Sequence, residues 1–286
     1  MKKITVLLLI LLVSFSMSVT AGLELTESDE QAVTDWEKSV VQAEGTGWAD
    51  QKGARGRSLA KIAAKAQAQA ELIKQIKGVN VSSETKISNQ KFESQVITTT
   101  TRGTLKGARV IKEEAIGESG YRVVMEVKFY GKDGIMKAIY PQLKERAEQN
   151  QLAEEGADFG VSDNSSSNEQ QVSDYTGIII NAANLDIDSA ITPKIYAANG
   201  ELVYGLSMIN YEGVQAEGLL EYRPSLADAK AVAKIGRNPL VINAQQVRGD
   251  YKTDLVISNG DARLINKIGY QNNIFATRKV VVVKSN

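Results

Sequence analysis

The stretch that most narrows the fold is SLAKIAAKAQAQAELIKQIKGVNV, residues 58–81. Its apolar residues Leu59, Ile62, Ala63, Ala66, Ala70, Ile73 and Ile76 recur at spacings of three and four, the period of one helix face. Ser58 stands where an N-cap belongs, and Gly78 follows the last periodic residue as a left-handed C-terminal cap would. A buried side made largely of alanine lets a helix axis lie close to a sheet. The following residues supply strands for one: Val79, Val81, Ser83, Thr85 and Ile87 alternate, residues 95–101 are rich in β-branched side chains, and Tyr121, Val123, Met125, Val127 and Phe129 alternate again. With glycines at 103, 107, 117 and 120 between these runs, the order predicts an antiparallel meander covered on one face by the helix.

Upstream, residues 39–43 form a short β-like run ahead of Gly45 and Gly47. Downstream, Pro141 fits the first turn of a helix over 141–155, with Leu143 and Ala147 facing inward. These elements make a first domain, residues 22–153, with regular structure from about residue 34. The segment EEGADFGVSDNSSSNEQQVS, residues 154–173, has no periodicity and too little apolar surface to offset the entropy of ordering, which predicts a flexible linker and independent packing of the halves it joins.

A second domain follows over 174–286. Residues 176–183 read as a strand centred on Ile178, Ile179 and Ile180, and Asn199-Gly200 lies between two β-prone runs, a strong hairpin signal. Ser225 and Asp228 form the S-x-x-D start of a helix over 226–235. NPLVINAQQV, TDLVIS and RKVVVVK read as strands, and residues 261–268 as a short helix. The fold class expected is α+β in both domains, each a mainly antiparallel sheet packed with helices.

The first residues bear on compartment. Lys2 and Lys3 precede an apolar run from 4 to 19, and Val19-Thr20-Ala21 provides a small-residue exit, which predicts a cleavable signal peptide over 1–21 and a periplasmic or secreted protein. Without the two lysines the chain has 32 basic against 34 acidic residues, a net charge of −2, which argues against a nucleic-acid partner. Cysteine and histidine are both absent. That excludes disulfides, an acylated lipobox cysteine, thiol nucleophiles, Ser-His-Asp triads and the usual zinc ligand sets. No catalytic residue, metal site or cofactor is expected.

Gly45-Thr46-Gly47 lacks the third glycine of a dinucleotide fingerprint and reads as a turn. Asn184, Asp186 and Asp188 alternate like calcium-loop ligands, but Ser189 and Ile195 stand where that loop needs glycine and glutamate. Glu113 and Glu114 are neighbours on a strand and point to opposite faces, so they cannot flank one glycosidic bond. The seven tyrosines from Tyr175 onward read as packing residues. One cluster is left as a candidate contact for an anionic ligand: Lys52, Arg55, Arg57 and Lys61 at the helix start, followed by Lys65.

The segments WEKSVVQAEGTGWA, ARGRSLAKIAAKAQAQAELIKQIKGVNVSSET, TTTTRGTLKGARVIKEE and YRVVMEVKFYG, spanning residues 36–131, resemble the LPP-type bacterial envelope lipoprotein family, to which the flagellar outer-membrane protein FlgP belongs; the N-terminal part of FlgT is a looser match. The resemblance implies a non-enzymatic envelope component, flagellum-associated in some members, whose partners are envelope proteins or further copies of itself, with peripheral outer-membrane contact. It transfers no functional residue. Members of the lipoprotein type carry an acylated cysteine that this chain lacks. A binding module for a cell-wall or lipid ligand, using the basic helix start or the tyrosine-containing second domain, is the alternative.

Overall fold

The computed structural model describes residues 31–83, 85–86, 106–141, 143–144, 174–209 and 211–285. Two strands open the described chain, β1 (Ala32–Asp35) and β2 (Val40–Trp48). A long helix, α1 (Gly53–Lys77), leads to a short hairpin, β3 (Asn80–Ser82) and β4 (Thr85–Lys86). A longer hairpin follows, β5 (Arg109–Ile116) and β6 (Gly120–Lys128), turning through Gly117 at φ 60°. The sheet runs β1-β2-β6-β5, antiparallel throughout, and α1 packs along β2 and β6. Val123, Met125, Val127 and Phe129 are buried as their alternation predicts.

The helix faces the sheet with a different side from the one its larger apolar residues suggest. Its buried row is Gly56, Ala60, Ala64, Ala68, Leu72 and Ile76, spaced by four. Beneath it lie Gly45 and Gly47, which belong to β2 and not to a turn. A Cβ on Gly45 would sit 2.2 Å from the Ala64 carbonyl oxygen, and one on Gly47 would sit 2.1 Å from that of Ala60. Helix backbone therefore rests on strand backbone, and only the smallest side chains fit between them. Leu59 and Ile62 are left 47% and 68% exposed, with Ala63, Ala66 and Ala70 also outside and Ile73 half-buried. Of the face expected from the sequence, only Ile76 is fully inside.

The helix ends differ too. It starts at Gly53, with Lys52 at the N-cap position and no side-chain cap, while Ser58 lies inside it and donates its hydroxyl to the Ala54 carbonyl at 3.0 Å. Gly78 has φ −79°, a right-handed conformation open to any residue. The next helical stretch, residues 135–141 (α2), begins six residues ahead of its expected start, so Pro141 lies past its first turn; Leu143 is buried as expected. Residues 1–21, 87, 95–101, 147 and 154–173, which carry further expectations, lie outside the described residues.

The second half contributes β7 (Gly177–Asn181), β8 (Ile195–Ala197), β9 (Leu202–Tyr204), helix α3 (Tyr211–Glu217), β10 (Glu221–Arg223), helix α4 (Leu226–Ala231), β11 (Pro239–Asn243), β12 (Gln246–Arg248), β13 (Asp254–Ile257), helix α5 (Asn259–Gln271) and β14 (Val280–Val283). One sheet, β10-β14-β7-β11, is wholly parallel; the other, β12-β13-β8-β9, is mixed. Parallel strands need both faces covered. Ile178–Ile180 and Val280–Val283 are accordingly buried on both sides. The β8–β9 hairpin turns through Gly200 at φ 93°, and Ser225 caps α4 by accepting from the Asp228 N–H. The protein is α+β.

The halves on either side of residues 154–173 meet directly, although the polarity of that segment favours independence. Ile191 and Thr192 donate their N–H groups to the Asn80 and Val81 carbonyls at 3.0 and 2.8 Å. Tyr130 lies against Gly218, Trp36 against Tyr222, and one apolar cluster runs from Val41 to Val282. The contact is made by β3, the β1–β2 turn and the end of β6, elements far in sequence from the polar segment.

Candidate functional site

The cluster picked out at the helix start is spread around α1. Two of its members are held by acids from other elements. Lys61 donates to Glu113 at 2.7 Å and lies 5.5 Å from the centre of the Tyr121 ring. The hydrogen bond to Glu113 keeps the Lys61 ammonium above its ordinary pKa. Lys52 pairs with Glu118 at 3.4 Å across two highly exposed side chains, an interaction worth little in water. Arg55 and Arg57 make no ion pair among the described residues, and neither does Lys65. Residues two apart on a helix lie about 200° apart, so the outward crest opposite the buried row is Ser58, Ile62, Ala66, Ala70 and Lys74. Arg57, Lys61 and Lys65 form one shoulder of that crest, and Arg55 and Leu59 the other. Composition alone could have marked this side: in Gly53–Lys77 six cationic side chains face a single acid, Glu71.

The carboxylate pair is split as its strand position requires. Glu113 goes to Lys61 on the helix side of the sheet, and Glu114 accepts from Arg122 at 3.0 Å on the other. Arg122 also meets Glu44 at 2.9 Å. Next to it, Glu126 accepts from Arg109 at 2.6 Å and from Gln42 at 2.9 Å. Burial pushes the Glu126 carboxyl up, but the Gln42 and Arg109 hydrogen bonds outweigh it and leave it below the usual range. This ladder of acids and bases on the sheet's far face ends at Trp48, whose ring lies against Gly120 and is 64% exposed.

In the second half, Asp186 does not gather other acids. It accepts from Lys252 at 2.6 Å, and that hydrogen bond holds its carboxyl below the usual range. No group of three or more acidic residues among the described residues is placed to hold a metal ion. Two of the tyrosines are core residues: Tyr204 donates to the Leu219 carbonyl at 2.7 Å, Tyr222 to that of Ala190, and burial raises both phenols, while Tyr270 is 66% exposed. A groove of about 750 Å³ opens between the β1–β2 turn and α4, lined by Glu37, Glu217, Glu221, Arg223, Asp228 and Lys234. Its cations are already paired, since Arg223 and Lys234 both bond to Glu221.

The junction of the halves holds the most buried charged group among the described residues. Asp254, 1% exposed, accepts from the Ser83 hydroxyl at 2.6 Å and the Lys194 N–H at 2.9 Å. Thr192 donates its hydroxyl to the Val81 carbonyl at 2.7 Å. These bonds fix the β3–β4 hairpin on the second half, and their arrangement is structural.

A match to a known domain family falls in the second half. Residues 177–286, from β7 to the C-terminus, match the family described as Treponema pallidum Tp0624, second domain. None of the curated proteins compared with the chain matches it. The part of the chain built from the parallel and mixed sheets is thus similar to a bacterial domain family.

Proposed function

We propose that the protein is an exported, non-enzymatic component of a bacterial envelope, a scaffold that joins other envelope proteins or further copies of itself. The signal-peptide pattern of residues 1–21 supports a periplasmic or secreted location, and the resemblance of residues 36–131 to the LPP-type family supports an outer-membrane-associated or flagellar assembly. Similarity of the second half to a Treponema domain accords with a bacterial envelope setting.

The observation that carries the reading is the edge strand β5. It is eight residues long and, among the described residues, pairs with β6 alone. A row of backbone N–H and C=O groups on its other side is a template for a further strand. Val110 and Ile111 are 37% and 44% exposed there, which adds apolar contact to backbone pairing. Lys112, Glu113 and Glu114 restrict the choice of partner, because like charges placed opposite one another destabilise a strand pair.

A photo-crosslinking residue at position 111, used in cells expressing the tagged chain, tests this. Attachment to a second copy or to envelope proteins is the expected result. Recovery of monomer alone, with a crosslinker at a control position on α5 behaving identically, overturns it.

A further inference from the structure

The outer crest of α1 is apolar at its centre and cationic on both shoulders. Ile62 is its highest point, Leu59 lies beside it, and Ala66 and Ala70 keep the crest low toward Lys74. Arg55, Arg57, Lys61 and Lys65 stand within three or four residues of Ile62 or Leu59 along the helix. This concentration belongs to the helix and not to the chain as a whole: outside α1 the chain has 28 basic against 33 acidic residues. A 25-residue helix lying flat offers this surface along about 37 Å.

We propose that this crest seats the protein on an anionic lipid surface, with the helix axis parallel to the membrane plane. Ile62 and Leu59 enter the boundary between headgroups and acyl chains, while Arg55, Arg57 and Lys65 meet lipid phosphates; Lys61 is shared with Glu113. The chemistry is that of an interfacial helix, in which apolar burial and attraction to anionic headgroups act together. Charge selects the occupant. A second copy packed crest to crest would bring the same cations together, since Arg55, Arg57, Lys61, Lys65, Lys74 and Lys77 face only Glu71 in this helix. No helix among the described residues is long and apolar enough to cross a bilayer. The proposal is independent of the strand-edge reading, which uses β5.

The test is vesicle flotation of the full mature chain. One set of vesicles is phosphatidylcholine alone, and the other contains phosphatidylglycerol as about one-third of the lipid. Binding to the anionic set only, weakening with added salt, is expected. Arg55→Gln and Lys65→Gln should each lower it about fivefold, the ratio for losing one cation near the surface. Ile62→Gln should lower it as well, and Lys230→Gln on α4 should leave it unchanged. Melting curves of these exposed variants should match the parent, which separates binding from folding. Equal binding to neutral vesicles, no binding, or indifference to the α1 variants overturns the proposal. So does an Ile62→Gln variant that changes the sedimentation coefficient of the lipid-free protein, which would make the crest a contact between copies.

Discussion

Gly45→Ala asks whether β2 and α1 really touch backbone to backbone. The added Cβ would lie 2.2 Å from the Ala64 carbonyl oxygen and 2.4 Å from the Ala68 nitrogen. Ordinary contact begins near 3.4 Å, so relief requires a local shift of about 1.2 Å. Neither neighbour is the end of a flexible side chain, so the helix itself has to rise. A gap of that size forfeits about half or more of the dispersion attraction at each affected contact, and Ala60, Ala64, Ala68 and Leu72 are all at 0% exposure. Overpacking typically costs about 1–3 kcal/mol. The upper end, about 3 kcal/mol, is expected here because the strain falls on two fixed backbones. Gly47→Ala should cost a similar amount, since its Cβ meets the Ala60 oxygen at 2.1 Å. The double variant should cost clearly less than the sum, because one displacement relieves both clashes. Urea unfolding of the purified protein measures this as a drop in midpoint at constant slope. A Gly45→Ala change within about 0.5 kcal/mol of the parent would refute the helix-on-strand contact.

Four further outcomes follow from the same structure. Gly78→Ala should be neutral or stabilise by about 0.4–1 kcal/mol in the same urea assay, because its φ of −79° suits alanine and its Cβ would meet only the Gln75 oxygen, at 3.4 Å; a loss of stability would restore the left-handed cap. Ser83→Ala should cost about 1.5–3 kcal/mol, the range for a hydrogen bond to a charged group, by taking a donor from buried Asp254. Unfolding of a Trp48→Phe variant should remain one transition whether followed by Trp36 fluorescence or by far-ultraviolet dichroism, since Trp36 packs on Tyr222 across the junction of the halves. The lowered Glu126 pKa makes a pH prediction. A carboxyl whose folded pKa is depressed stabilises above its unfolded value, near 4.5, and that contribution is lost as pH falls through the folded value. Glu126→Gln should therefore flatten the stability profile below about pH 4.5, and an unchanged acid limb in urea titrations would count against the Arg109 pairing.

Where one rule of local chemistry acts alone, the residues announce the structure. Asn199-Gly200 demands a tight turn, Ser225-x-x-Asp228 a capped helix start, and Tyr121 to Phe129 a two-faced strand, and each is found in place. Pairing partners were less legible, because β-branched runs say nothing of direction. Val280–Val283 lies between β10 and β7, two strands that precede it by many residues, and all three run parallel. The contact between the halves was hidden for a similar reason. It depends on Ser83 finding Asp254, 171 residues away, and no local pattern marks either as a partner. Of the candidate site, the cations Lys52, Arg55, Arg57 and Lys61 lie at the N-cap and in the first turns of α1. The sequence could not reveal that Glu113 and Glu118, on other elements, would claim Lys61 and Lys52.

The orientation of α1 links the fold to the candidate site. Hydrophobicity favours burying Leu59 and Ile62, yet the row actually buried is smaller and offers less transfer energy per residue. Shape decides the matter: Gly45 and Gly47 make a shallow trough in β2, and a row of glycine and alanine spaced by four settles into it over three turns. Larger residues return to the row only at Leu72 and Ile76, beyond the glycine pair. Once that row is down, Ile62 and its flanking cations have only the outward side to occupy. The character of the exposed crest is therefore set by two strand residues about fifteen positions earlier in the chain. Restoring bulk there, as in Gly45→Ala, should disturb the crest's binding as well as stability, although neither glycine reaches the surface.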